Sequence, residues 1–158
     1  TCELYRPVKD KVMDDLMLRI RSRFNTTLVT QQEAIRFLLR KYRSNEQFLV
    51  GFISDQRPNS QNLHNWTQFL HQDTAFAVGG EEIGKHVKAH YFFLHVEKPR
   101  RGHYVMTFQV VRPEEDKTKF PYTLQYLRMM EENIRKQPEL WLWSHNRWKF
   151  DREGKAIH

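Results

Sequence analysis

The stretch "FLVGFIS" at residues 48–54 is almost continuously apolar, is rich in β-formers and stops abruptly at Asp55. A short apolar run of this kind reads as a strand covered on both faces. Upstream, Val12, Met13, Leu16, Met17, Ile20 and Phe24 recur at helical spacing through residues 8–24, with Lys9, Asp10, Asp14 and Asp15 between them. This pattern predicts an amphipathic helix. At "TQQE" (30–33), Thr30 can cap a second helix while Glu33 reaches back. Ala34, Ile35, Leu38, Leu39 and Tyr42 then form its inward stripe, which ends near Arg43-Ser44-Asn45. Helix, helix and buried strand together predict an α/β chain.

Downstream, residues 57–73 have the composition of a loop, yet Trp66, Phe69 and Leu70 imply that this loop folds back onto a core. Residues 74–87 predict a helix in spite of Gly79-Gly80. "HYFFLHVE" (90–97) and "HYVMTFQVV" (103–111) flank "KPRRG" and predict a hairpin with Tyr104, Met106, Phe108 and Val110 on one face. After a Pro-containing, charged connector, Tyr126, Leu127, Met130 and Ile134 mark a last helix that ends before Pro138.

A length of 158 residues without linkers or repeats predicts one domain spanning residues 1–158. No run of about 18 apolar residues is present to cross a bilayer as a helix. The single Cys2 excludes an internal disulfide framework, which fits a reducing compartment. A net charge of +7 points to an anionic partner or surface. The cations are dispersed through "RIRSRF", "LLRKYR", "EKPRRG" and "HNRWKF", so only the fold can assemble a patch from them.

In open α/β sheets ligands sit beyond the carboxyl ends of strands, which makes Asp55 and Gln56 of "GFISDQRP" (51–58) site candidates. The alternative is an Asx-turn ahead of Pro58. Arg19, Arg21 and Arg23 close the first helix with forked donors suited to phosphate or carboxylate, or simply form a solvated face. In "WLWSHNRWKF" (141–150), an extended chain would place His145, Arg147 and Lys149 on one face opposite Trp148 and aim three donors at an anion. The competing reading pairs them with Asp151 and Glu153. His86 and His90 have the spacing of a zinc pair, but "HVKAH" lacks the acid that follows the first His in a zinc protease, and no metal is expected. No Gly-x-Ser-x-Gly elbow is present, and "VGGEEIGK" (78–85) puts acids where a phosphate loop needs amides. No cofactor is expected.

Taken in order, "LYRPVKDKVMDDLMLRIRSRF" (4–24), "FLVGFISDQRP" (48–58), "NWTQFLHQDTAFAVG" (65–79) and "PELWLWSHNRWK" (138–149) resemble the bacterial lipid A biosynthesis acyltransferases, the late lauroyl/myristoyl transferases of lipopolysaccharide assembly. The most specific piece is the ending, where Trp143, His145, Arg147, Trp148 and Lys149 match a Trp-x-His-x-Arg-aromatic-Lys signature. Asp55 matches the strand-end acid, and Arg21 and Arg23 match an Arg-x-Arg element.

The resemblance implies a glycerolipid-acyltransferase-like fold, with a mixed central sheet flanked by helices. It also implies transfer of an acyl chain from acyl carrier protein to a phosphorylated glucosamine disaccharide at the cytoplasmic face of the bacterial inner membrane. Arg21, Arg23, Asp55, Gln56, His145, Arg147 and Lys149 are its substrate-binding candidates, and the membrane surface is a further partner. The family's catalytic His-x-x-x-x-Asp/Glu pair has no counterpart, because none of the eight histidines is followed by an acid at that spacing. In the family this pair precedes the "YRP" element, so it is expected upstream of Thr1, and the chain reads as the C-terminal part of such an enzyme. A short homologue that kept the binding half is the alternative. The rival from another class is a basic, aromatic nucleic-acid-binding module whose tryptophans stack bases; on the acyltransferase reading no nucleic acid is expected.

Overall fold

The computed structural model describes residues 1–113 and 118–157, and the chain forms two compact units, Thr1–Ile53 and Ser54–His158. Residues 114–117 of the charged connector lie outside the described residues.

The first unit runs β1 (Cys2–Tyr5), α1 (Lys11–Ser22), β2 (Thr27–Thr30), α2 (Ala34–Arg43) and β3 (Val50–Gly51). All three strands are parallel and ordered β2-β1-β3. Each pair of successive strands is joined through a helix, as parallel pairing requires. The strand order reverses direction between β1 and β3, the place where open α/β sheets bind ligands. Asp10 caps α1 by accepting the Met13 amide at 2.9 Å. Asn25, with φ of 57°, turns the chain out of the helix in a conformation that asparagine tolerates. The core is small, and Cys2, Val29, Ala34 and Leu38 are its buried apolar side chains.

Three expectations are corrected here. The run 48–54 is not a strand covered on both faces: only Val50 and Gly51 pair, at the sheet edge, and Leu49, Phe52 and Ile53 are exposed. Thr30 ends β2 and does not cap α2; its hydroxyl donates to the Glu33 carboxylate at 2.6 Å. Ile35 and Tyr42 of the expected inward stripe of α2 are exposed, while Ala34 and Leu38 are buried.

The second unit contains a hairpin of β4 (Trp66–Phe69) and β5 (Gln72–Ala75), then α3 (Gly79–His86), a hairpin of β6 (Phe92–Arg100) and β7 (His103–Val110), and α4 (Pro121–Lys136). Parallel and antiparallel strands are both present, distributed over three sheets with helices beside them. The fold is α/β. The loop predicted over 57–73 contains β4, and the helix predicted over 74–87 is shortened at its start by β5.

Helix α4 is the spine of this unit. Leu127, Met130 and Ile134 point into a core shared with Phe69, Phe76, Phe93, Val111 and Phe120. Each such side chain contributes about 1.5–3 kcal/mol when fully buried. Pro121 opens α4, where its missing N–H costs nothing. The buried Glu81 carboxylate accepts both the amide and the hydroxyl of Thr123 at 2.8 Å and faces Lys85 at 3.0 Å. This ties α3 to the first turn of α4 and satisfies one of its open amides. The β4–β5 turn is made by Leu70 and His71, both at positive φ, as a two-residue hairpin requires. Arg135 of α4 holds it from outside, with Nη2 3.0 Å from His71 Nε2.

Candidate anion site

The segment after α4 begins with a 3₁₀ turn at Pro138–Leu140 and continues as turns, with the Trp143 amide donating to Trp141 O and the His145 amide to Leu142 O. The expected extended segment, with His145, Arg147 and Lys149 together on an open face, is therefore corrected. Two tryptophans anchor the turns in the second unit's core. Trp141 packs against Phe69 with ring centroids 6.1 Å apart, and Trp148 donates from Nε1 to Thr74 Oγ1 at 2.7 Å. Trp143 remains 57% exposed, with its indole N–H on Pro138 O. Arg152 forks onto Asp73 of β5 and fixes the tail that follows.

This anchoring carries Arg147 inward until only 3% of it is exposed. Among the described residues none of its three guanidinium nitrogens has a hydrogen-bond partner, and the Nε of Arg57 is buried in the same unpaired state. A buried guanidinium is normally matched by acceptors, since desolvating an unpaired charge is strongly unfavourable. Burial pushes the Arg147 pKa down to about 10, with Arg57 pushing the same way, while the charges of Asp55 and Tyr126 oppose the shift. Burial raises the Tyr126 phenol above its ordinary range, and the Asp55 carboxylate adds to this.

Asp55 lies half-buried in the bend that follows β3, two residues before Arg57. The Arg57 main-chain N–H donates to Nε2 of His145 at 3.1 Å, so this ring nitrogen is an acceptor and the imidazole is neutral with its proton on Nδ1. Burial, then the charges of Arg57 and Arg147, hold the His145 pKa below its usual value against the pull of Asp55. The Phe150 ring lies beneath two cations, Arg57 at 5.2 Å and Lys149 at 5.5 Å.

The structure thus gathers Asp55, His145, Arg147 and Lys149 into one neighbourhood of the second unit, with Arg57 and Tyr126 added. Gln56 is exposed beside them. Arg21 and Arg23 belong to the first unit. Arg21 Nε is 3.5 Å from Glu3, and Arg23 lies over the Phe24 ring. Pairing of the basic triad with Asp151 and Glu153 is not seen: Asp151 accepts the amides of Glu153 and Lys155, and Glu153 pairs with Lys155. Arg57 is the member of this cluster that sequence reasoning missed, although it stands in the quoted "SDQRP" as a cation two residues past the acid. Tyr126 was read only as part of a helix stripe.

Arg147, with all three guanidinium nitrogens unpaired, and Arg57, with its Nε unpaired, lie close to the Asp55 charge among the described residues, and forked donors of this kind suit an oxyanion such as a phosphate. The family model for bacterial lipid A biosynthesis acyltransferases matches residues 1–150, nearly the whole chain, and the protein belongs to that family. No curated protein matches the chain.

Proposed function

We propose that the chain serves transfer of a fatty acyl group from acyl carrier protein to a lipid A precursor in lipopolysaccharide biosynthesis, and that the Asp55–Arg57–His145–Arg147 neighbourhood holds a phosphate of the acceptor. Residues 1–158 are read as the C-terminal part of one acyltransferase domain acting at the cytoplasmic face of the inner membrane. In the reaction the acyl–sulfur bond of the thioester breaks, an ester bond forms to an acceptor hydroxyl, and that hydroxyl's proton passes to a base. No histidine here has an acid at the family's spacing, so the chain by itself binds and does not turn over. Arg21 and Arg23 are proposed as further anion contacts, with Gln56 and Lys149 at the rim.

The observation that carries this reading is Arg147, buried and, among the described residues, without an acceptor for any guanidinium nitrogen. A bound anion would supply the acceptors that the described residues do not. Base stacking by the tryptophans is disfavoured, because Trp141 and Trp148 pack in the core and Trp143 alone among the three is exposed.

The test is steady-state kinetics of the full-length enzyme. Arg147→Ala should lower kcat/KM for the phosphorylated acceptor about 100-fold, the cost typical of losing one positioned charged donor. The variant's deficit should shrink on an acceptor lacking the phosphate. An equal loss on both acceptors would reject the assignment.

A further inference from the structure

Helix α1 buries none of its side chains, and its apolar stripe faces water. Val12, Leu16 and Ile20 recur every fourth residue, Met13 lies beside them and Phe24 follows at the end. Val12 is 77%, Ile20 56% and Phe24 80% exposed. Among the described residues nothing covers this stripe. Arg19 stands seven residues after Val12 and three after Leu16, and Arg23 seven after Leu16 and three after Ile20, so both cations rise from the same face. Both are exposed, and among the described residues neither is within ion-pair distance of a carboxylate. Of the helix's own acids, Asp14 accepts the Val8 amide at 2.8 Å, and Asp15 stands four residues before Arg19 on the same edge of the stripe.

An exposed apolar stripe on a soluble unit marks an interaction surface. Apolar side chains interleaved with arginines suit a surface that is hydrocarbon below and anionic above, which is the boundary of an acidic phospholipid leaflet. A second copy fits less well, because stripe against stripe would bring Arg19 and Arg23 of both copies together. Twelve residues give a rise of about 18 Å, too short to cross a bilayer but long enough to lie in its plane. We infer that α1 is an interfacial helix that seats the first unit on an anionic phospholipid surface through Val12, Leu16, Ile20 and Phe24, with Arg19 and Arg23 on lipid phosphates. This goes beyond the acyl-transfer reading by naming the surface that meets the lipid.

The test is co-sedimentation of the full chain with vesicles that contain no acceptor or donor, so that its failure leaves the acyl-transfer reading standing. Vesicles of phosphatidylcholine with phosphatidylglycerol are compared with phosphatidylcholine alone, at low and high salt. Binding should favour the anionic vesicles by about thirtyfold, as expected for two arginines at about 1 kcal/mol each, and should weaken with salt. Leu16→Glu/Ile20→Glu should abolish it with circular dichroism unchanged, since neither side chain is buried. Arg19→Ala/Arg23→Ala should bring anionic and neutral vesicles to the same level. If the Glu pair perturbs folding, Leu16→Ser/Ile20→Ser is the milder substitute, expected to weaken binding at least tenfold. Unchanged binding in a folded stripe variant overturns the inference, as does no preference for anionic vesicles. So does a wild-type dimer that these substitutions dissociate while vesicle binding persists.

Discussion

The main chain of Arg57 and the side chain of His145 are joined by a hydrogen bond of 3.1 Å across 88 residues of sequence. Through it, the turn that carries Asp55 is fastened to the segment that carries Arg147. The bond requires an unprotonated Nε2.

A pH dependence follows. The folded state holds the His145 pKa below the ordinary 6.5, so the unfolded chain binds the proton more readily. The contribution is whole above pH 6.5 and declines as pH falls from 6.5 toward the lowered value. His145→Gln can place an amide oxygen near the Nε2 position and removes the titration. Thermal melts between pH 5 and 8 should show an acid-side decline in wild type that is reduced in His145→Gln. His145→Ala should lose about 1–2 kcal/mol at neutral pH, because the Arg57 amide loses its acceptor. Equal acid-side slopes in wild type and His145→Gln would show that other groups govern the decline.

Arg147 should behave in the opposite sense to a structural arginine. Its buried charge has no acceptor among the described residues, so Arg147→Met should leave the melting temperature unchanged or higher in buffer without oxyanions. Inorganic phosphate should raise the wild-type melting temperature, with about 2.7 kcal/mol of stabilisation at a hundredfold excess over Kd. The same phosphate should do little for Arg147→Met. A variant that melts well below wild type in phosphate-free buffer would mean that the guanidinium supports the fold.

Gly84 gives a packing test away from this site. A Cβ there would lie 2.2 Å from the Tyr91 Oη, so the ring must move. Its displacement would break the bond from Tyr91 Oη to Glu81 O at 3.0 Å and the stack on Tyr122, whose centroid is 4.4 Å away. Gly84→Ala should therefore lose about 1–3 kcal/mol in denaturant melts, although alanine is the better helix former. Gly84→Ala with Tyr91→Phe should recover part of the steric loss; an unaltered midpoint in Gly84→Ala would show that the contact yields freely.

Local patterns accounted for much of the fold. The spacing of Leu127, Met130 and Ile134 located α4, and alternation through 103–110 located β7 with Tyr104, Met106, Phe108 and Val110 on one face. Helical and strand periodicities depend on backbone geometry alone, so they are legible in one dimension. Which face is covered is not. The Met106 and Phe108 face of β7 is exposed, and so is the stripe of α1, although both read as apolar. Strands β1 and β2 were missed because four-residue runs such as "TLVT" acquire strand character only by pairing, here Cys2 to Tyr5 against Thr27 to Thr30.

For the site, the sequence by itself determined the residue types: Asp55 at the end of an apolar run, and His145, Arg147 and Lys149 in an aromatic-rich ending that lies within the stretch matched by the family model. Tertiary structure alone decided what each one does. Trp141 and Trp148 draw the ending into the core, so Arg147 is desolvated while Trp143 stays outside. His145 becomes an acceptor for a main-chain amide, not a third donor. Charge is a property of composition, but desolvation depends on the three-dimensional surroundings of a group, and desolvation is what turns Arg147 from a surface cation into a buried one without a hydrogen-bond partner among the described residues.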